Sequence, residues 1–199
     1  MNRSMQTLVL MAGLVTAACG QQALPVKAAA AVPVWPPSIH PVKATIALGT
    51  LSTLESGFDG KLASFNVNDP IDLLGRTRGI YLDGYGVVFT TEISLIVTPS
   101  INPFHQVMTP AEIAAVHQRK VKRLPVLPDM MKDMVHAVAK TLQVASAAGA
   151  QIPYDQKVVV AFRLLYLPWE DTSGLPGLLI AKADLRSALN DDITIEEQR

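Results

Sequence analysis

The sequence predicts an α+β domain, with a mostly antiparallel sheet and two main helices packed on one face of it. Three observations lead to this prediction. Residues 79–97 have the β-branched and aromatic composition of two strands joined by a glycine-rich turn. Residues 109–147 carry two helical apolar stripes, and residues 158–181 contain two further apolar strands. Strands, then helices, then strands are typical of the α+β class.

Length and composition favour one folded domain after an N-terminal leader. The chain has 199 residues, of which 49% are hydrophobic and 17% charged, so it has enough apolar material for a core. Lys+Arg and Asp+Glu are equal at 17 each. Phosphate binding along a nucleic acid needs a clear basic excess, so nucleic acid is not an expected partner.

Residues 1–19 have the order of a secretory signal peptide. Arg3 supplies positive charge, residues 8–15 form a short apolar run, and small residues surround Cys19. A membrane-spanning helix needs about 20 apolar residues, so this run is too short to remain in a bilayer. We therefore expect the protein to be exported to the periplasm or the outer cell envelope.

The segment that ends at Cys19 resembles the lipobox of bacterial lipoproteins, in which small residues precede an acylated cysteine. Ala17 and Ala18 match that motif. The resemblance implies that Cys19 is lipidated and holds the protein at a membrane. The alternative is ordinary cleavage after Ala18, because Thr16 stands where a Leu is usual. Cys19 is the only cysteine, so no intramolecular disulfide can form.

Residues 20–42 are predicted to form an extended tether, and residues 43–199 the α+β domain. Five prolines in the tether prevent a continuous helix. The domain opens with a predicted short helix over residues 43–55, because apolar residues recur there at helical spacing. Turns are predicted at residues 56–60, where glycines follow Ser and Asp.

The hairpin and the two main helices follow. Residues 79–82 and 87–97 are the predicted strands, and one face of the second strand is apolar, as expected for a sheet covered on one side. Thr109-Pro110-Ala111-Glu112 is a capping box, which predicts a helix start. Prolines at 125 and 128 end that helix, and a second helix is predicted over residues 129–147.

The last third of the chain predicts the centre of the sheet. Residues 158–167 form a nearly continuous apolar run, which is typical of a central strand. After a turn at residues 168–177, residues 178–181 are predicted to return as its antiparallel partner. Residues 184–189 are then predicted as a short helix, and residues 193–195 as an edge strand.

The loop that leads into the hairpin is the predicted binding surface. Carboxylates beside arginines suit an anionic ligand, and loops on a rigid sheet often carry function. The candidate residues are Asp69, Asp72, Arg76, Arg78, Tyr81, Asp83, Tyr85 and, in the later turn, Trp169. The alternative interpretation is a structural loop held by Asp–Arg pairs.

Residues 117–123 form the one concentrated basic run, which suits anionic lipid headgroups or an acidic partner. The alternative is a solvated helix face. His40, His105, His117 and His136 lack the spacing of metal ligands, and no nucleophile or cofactor motif is present. We therefore expect no metal, no cofactor and no catalytic residue, and His117 and His136 are expected to be solvated.

Residues 69–89 and 169–176 are similar to segments of a group of uncharacterised exported bacterial proteins. The resemblance covers most of the mature chain and implies export, with these two segments as distinctive surfaces. It implies no activity and no catalytic residues.

These observations predict a non-catalytic cell-envelope protein, lipid-tethered, that binds or scaffolds a partner protein. The alternative is a hydrolase or other enzyme that uses Asp69, Asp72, Asp83 or Glu92 with Arg76 or Arg78. A deep polar pocket at residues 75–86 would favour the enzyme, whereas a flat apolar surface would favour binding.

Overall fold

The computed structural model describes residues 46–66, 68–98, 107–147 and 152–199. These residues form a six-stranded mixed sheet with helices, which confirms the α+β prediction. The predicted signal, the predicted tether, Cys19, His40 and His105 lie outside the described residues.

Four helices and six strands make up the described domain. The helices are α1 (Leu48–Ala63), α2 (Pro110–Arg123), α3 (Leu127–Ala147) and α4 (Leu185–Leu189), and a 3₁₀ turn (Leu124–Val126) joins α2 to α3. The strands are β1 (Asp72–Leu73), β2 (Arg78–Leu82), β3 (Gly86–Ser94), β4 (Lys157–Leu164), β5 (Leu178–Asp184) and β6 (Thr194–Gln198).

β4 is the central strand of the sheet, as predicted. β1 and β2 both pair antiparallel with β3 at different points along its length, and the order continues through β4 and β5 to β6. β3 and β4 are parallel, and the other pairings are antiparallel. The parallel pair follows from the chain between β3 and β4, which contains α2 and α3 and is long enough to cross back to the starting end.

Helices α1, α3 and α4 cover one face of the sheet, which we call the inner face. Alternate residues of the central strands turn their side chains into this core, because successive side chains of a strand point to opposite faces. The buried set on β3 and β4 is Val87, Phe89, Thr91, Ile93, Val158, Val160, Phe162 and Leu164. α3 packs against them with Met131, Met134, Val135 and Val138 among its buried residues.

Helix α1 is longer than predicted and continues through the predicted turns to Ala63. Phe58 and Leu62 extend the apolar stripe of Leu51 and Leu54 and are buried in the core. The Phe58 ring packs edge-on against Phe89, with ring centroids 5.1 Å apart. Burying two large apolar side chains stabilises by about 3–6 kcal/mol, which exceeds the cost of about 1 kcal/mol for each helical glycine.

Two carboxylates of α1 bind the outer edge of the sheet. The N–H groups of Thr77 and Gly79 donate to Asp59 Oδ1 at 2.8 Å and to Glu55 Oε1 at 2.7 Å. Four helical residues advance about 6 Å and two strand residues about 6.6 Å, so the two spacings match. These bonds satisfy backbone donors that an edge strand otherwise offers to another chain.

Helix α2 begins where the sequence predicts. The N–H of Glu112 donates to the Thr109 hydroxyl at 3.3 Å, and the N–H of Thr109 donates to Glu112 Oε2 at 2.8 Å, so the capping box is complete. At the hairpin tip, Gly84 and Gly86 have φ values of 73° and 135°. A Cβ on Gly86 would lie 1.9 Å from the carbonyl oxygen of Lys157, so this position requires glycine.

The opposite face of the sheet, which we call the open face, remains partly or fully exposed over most of its area. Its cross-strand rows follow from the register of the sheet. Its side chains include Asp72, Arg78, Ile80, Leu82, Val88, Thr90, Glu92, Ser94, Val159, Ala161, Arg163, Leu178, Ile180, Lys182, Thr194, Glu196 and Gln198, and of these Ser94 and Val159 are buried. The prediction that the helices lie on one face of the sheet agrees with this arrangement.

Candidate functional site

Three of the eight predicted binding residues lie on the open face. Arg76 and Arg78 are exposed and line the same cleft, which has a volume of about 540 Å³. Asp72 pairs in register with Ser94, two residues beyond Glu92, and therefore lies on this face but does not line the cleft. The structure thus brings both predicted arginines together in the cleft and leaves the carboxylate of Asp72 outside it, further along the edge of the sheet.

Asp69 has a structural position, away from the cleft. Its carboxylate accepts from Arg119 at 2.7 Å and from Arg123 at 2.6 Å, and both arginines belong to α2. Arg123 is buried and also donates to the carbonyl oxygens of Pro70 and Leu95. Asp69 therefore holds the loop before β1 against α2, and its arginine partners come from outside the loop.

The hairpin residues separate to different sides of the sheet. Tyr81 lies on the inner face, and its hydroxyl oxygen accepts a hydrogen bond from Gln156 at 2.9 Å. Asp83 is exposed at the hairpin tip. Tyr85 lines a separate pocket of about 380 Å³ with Lys157 and Asp184, which form an ion pair at 2.5 Å. These three residues do not share a site with Arg76 and Arg78.

Trp169 is half-buried in the turn after β4, next to a buried ion pair. The ammonium group of Lys120 pairs with the carboxylate of Glu170, and the side chains of both residues are only 1% exposed. Lys120 Nζ also lies 4.9 Å from the centre of the Tyr166 ring. One oxygen of this carboxylate, Glu170 Oε1, is buried and has no hydrogen-bond partner among the residues that the structure describes.

Two cations of the basic run of α2, Lys120 and Arg123, are buried in ion pairs that we call the clamp, so the interpretation of the run as a solvated helix face is wrong for them. Both residues are buried because the loops that carry Asp69 and Glu170 fold over the helix. His117 is partly buried, and its Nδ1 lies 2.9 Å from the carbonyl oxygen of Asp171. The run therefore joins the two segments that the sequence marks as distinctive.

His136 is also partly buried rather than fully solvated. Its Nδ1 lies 3.0 Å from the carbonyl oxygen of Ala188 and 2.8 Å from Asp191 Oδ1. The histidine therefore connects α3 to the short helix α4 and the loop that follows it. These contacts account for His136 as a structural residue. Within the described ranges, no group of three His, Cys, Asp or Glu residues has the arrangement of a metal site.

Two groups near the clamp have shifted pKa values. Burial raises the pKa of Tyr166 to about 12, and the negative charge of Glu170 acts in the same direction. The Tyr166 hydroxyl donates to the carbonyl oxygen of Pro176 at 2.7 Å. Hydrogen bonds from the side chain and the N–H of Ser173 lower the pKa of Asp171. Both groups stabilise the turn at residues 165–177, and neither lies in the cleft on the open face.

The cleft contains residues that the sequence did not identify as a site. Thr90 and Ala161 are neighbours in the register of β3 and β4, and Leu178 contributes an apolar side chain from β5. Arg163 lies across the cleft and pairs with Glu92 at 3.3 Å. The alternation along β4 shows that Arg163 faces away from the core, but only the strand order places it near Arg76 and Arg78.

The cleft suits recognition of an anionic group. It combines three guanidinium groups with one carboxylate, which belongs to Glu92. Arg76 and Arg78 have no ion-pair or hydrogen-bond partner within the described ranges. Guanidinium groups present several donors in a planar fork that fits carboxylates and phosphates. Among the carboxylates of the enzyme alternative, only Glu92 reaches the cleft.

Comparisons with known proteins give no family assignment. No family model, no curated protein and no solved structure matches this chain. Over the part of the chain that the structure describes, no helix is both long and apolar enough to cross a membrane.

Proposed function

We propose that this chain is a non-catalytic cell-envelope protein that is exported, held at a membrane through Cys19, and binds a partner protein through the open face of its sheet. One observation supports this proposal above all others. Helices α1, α3 and α4 pack on the inner face, whereas the open face combines exposed apolar side chains with two arginines that have no partner among the described residues. An exposed apolar area bordered by polar residues is typical of an interaction surface.

The apolar part of this surface lies beside the cleft. Ile80 and Leu82 are 55% and 41% exposed, and Ile80 forms a cross-strand row with Val88 and Val159. Leu178 and Ile180 continue the apolar surface on β5. These side chains stand on hydrogen-bonded strands, so the surface exists before a partner arrives and little ordering entropy opposes binding.

Binding is better supported than catalysis at this face. The enzyme alternative needs a carboxylate that is available for proton transfer or metal binding, and among the described residues that line the cleft only Glu92 has a carboxylate. Glu92 is about half-exposed and already pairs with Arg163. General acid–base chemistry usually combines a positioned base with a second group that orients it or the substrate. The cleft has arginines and small side chains next to Glu92 where such a second group would have to lie.

Photo-crosslinking in the native host tests the proposed binding face. A photoreactive amino acid at Thr90 sits in the cleft, and a matched control at Val144 sits exposed on α3. We expect a crosslinked protein adduct from position 90 and none from position 144. Equal adducts from both positions, or none from position 90, would contradict the proposal.

A further inference from the structure

The cleft on the open face has a floor of small side chains between cationic walls. Thr90 and Ala161 are neighbours on β3 and β4, and Arg78 is the register partner of Thr90 on β2. Arg163 lies one row further along and two strands away from Arg78. Strand spacings of about 4.8 Å and row spacings of about 6.6 Å place these two arginines roughly 12 Å apart at their Cα atoms.

The charge of the cleft is positive although the whole chain is neutral. Arg76, Arg78 and Arg163 face a single carboxylate, that of Glu92, which leaves two guanidinium groups without a counter-charge in the lining. A guanidinium group binds a carboxylate through two parallel hydrogen bonds, which makes an acidic side chain its natural partner. The complementary ligand is therefore anionic at one end.

The apolar row beside the arginines requires that the ligand also has apolar groups. Ile80 and Val88 lie opposite each other next to the row of Arg78 and Thr90. A ligand that covers both rows has acidic groups on one side and aliphatic groups on the other. A peptide in extended conformation with acidic and apolar residues has this pattern at the spacing of a strand.

We infer that the cleft binds an acidic, extended segment of the partner protein, with Arg76 and Arg78 taking its carboxylates and the row of Ile80 and Val88 taking its apolar side chains. This inference rests on the proposed function and specifies the chemistry of the partner. An anionic membrane is a weaker match, because polybasic membrane sites use clusters of about four to eight Lys and Arg residues. Two of the four cationic side chains of the open face are already paired, Arg163 with Glu92 and Lys182 with Glu196.

A peptide-binding titration with charge-matched variants tests the inference. The full chain in detergent is titrated with a labelled peptide of alternating Glu and Val residues and, separately, with the same peptide carrying Gln in place of Glu. The variant R76Q/R78Q removes the two unpaired charges of the cleft. The control K140Q/R186Q removes two exposed charges from a separate pocket between α3 and α4.

We expect the wild-type chain to bind the Glu peptide at least about tenfold more tightly than the Gln peptide. R76Q/R78Q should lose at least about tenfold in affinity for the Glu peptide, and K140Q/R186Q less than about twofold. Equal losses in both variants, or equal affinity of the wild-type chain for the two peptides, would overturn the inference. Vesicles of anionic phospholipid that bind in an Arg76- and Arg78-dependent manner, with no peptide binding, would overturn it in favour of a membrane.

The failure of this inference is distinguishable from the failure of the proposed function. If R76Q/R78Q keeps the adduct from position 90 in cells, the open face binds a protein, and the acidic-segment inference alone is wrong. If the wild-type chain gives no adduct from position 90, the proposed function and the inference both fail.

Discussion

Charged side chains in this domain differ in their contribution to stability because they differ in burial. The side chains of Lys120 and Glu170 are 1% exposed, whereas those of Lys61 and Asp133 are 41% and 68% exposed. An exposed ion pair contributes about 0–1 kcal/mol. Breaking a buried pair by removing one partner costs about 3–5 kcal/mol, because the other charge is left without compensation.

The substitution Lys120→Met therefore lowers the free energy of unfolding by about 3–5 kcal/mol, whereas Lys61→Met lowers it by at most about 1 kcal/mol. Urea denaturation of the two variants measures the difference. The double variant K120M/E170L, in which both charges are replaced by apolar groups, recovers most of the loss. A cost for Lys120→Met no larger than that for Lys61→Met would show that the clamp does not stabilise the fold.

Tyr166 makes the stability depend on pH in the alkaline range. The folded chain holds the pKa of this hydroxyl at about 12, and an unfolded tyrosine has a pKa of about 10. Between these values the unfolded state loses the proton while the folded state keeps it, so the free energy of unfolding falls as the pH rises. Chemical unfolding at about pH 9, 10 and 11 measures this slope, which we expect to be smaller in Tyr166→Phe. Equal slopes in the two chains would contradict the assignment.

At the scale of elements, α1 protects the edge of the sheet as well as covering its core. Glu55→Ala and Asp59→Ala each leave one strand N–H without its acceptor, so each substitution is expected to lower the free energy of unfolding by about 1–3 kcal/mol. Ser56→Ala, exposed on the same helix, is the control and should change it by less than about 0.5 kcal/mol.

The carboxylates of Glu55 and Asp59 should also protect the edge of the sheet from self-association, which light scattering of the same variants measures. Loss of both acceptors should increase self-association, because the freed N–H groups can pair with another strand. Glu55→Gln keeps a carbonyl acceptor for Gly79 and should retain most of the stability. If Glu55→Ala lowers the free energy of unfolding no more than Ser56→Ala does, the carboxylate of Glu55 does not stabilise the edge of the sheet.

Elements with local signals were predictable from the sequence, and elements that depend on distant partners were not. The capping box at Thr109 and the hairpin around Gly84 use neighbouring residues, and both occur as predicted. The extension of α1 through Gly57 depends on Phe58 meeting Phe89, which is distant in the chain. The parallel pairing of β3 and β4 likewise depends on which strands meet after the crossover, and no local residue pattern specifies that pairing.

In the candidate site, too, the residues that are neighbours in the sequence were predictable and those that meet only through the fold were not. Arg76 and Arg78 were predictable because they lie close together in the sequence beside glycines. Arg163 joins them only through the order of the strands, so no pattern in the sequence groups the three arginines. Asp69 has acidic chemistry that suits a site, but its arginine partners come from α2, about fifty residues later in the chain.

At the scale of the whole molecule, the proposed tether makes a prediction about location. The wild-type chain should sediment with the cell envelope, and Cys19→Ala should appear in the fraction released from the periplasm, because it lacks the acylated residue. Thr16→Leu, which brings the segment closer to the lipobox it resembles, is the matched control and should remain with the envelope. Unchanged sedimentation of Cys19→Ala would contradict a lipid anchor at this residue.

The most direct test of the open face as an interaction surface compares crosslinking from position 90 in two chains expressed in the native host. One chain carries Arg76 and Arg78, and the other carries R76E/R78E, which reverses the charge of the cleft without touching the core. We expect a protein adduct with the first chain and its loss with the second, at equal levels of folded protein. An adduct of equal yield in both chains would contradict recognition of an acidic partner by the arginines of this face.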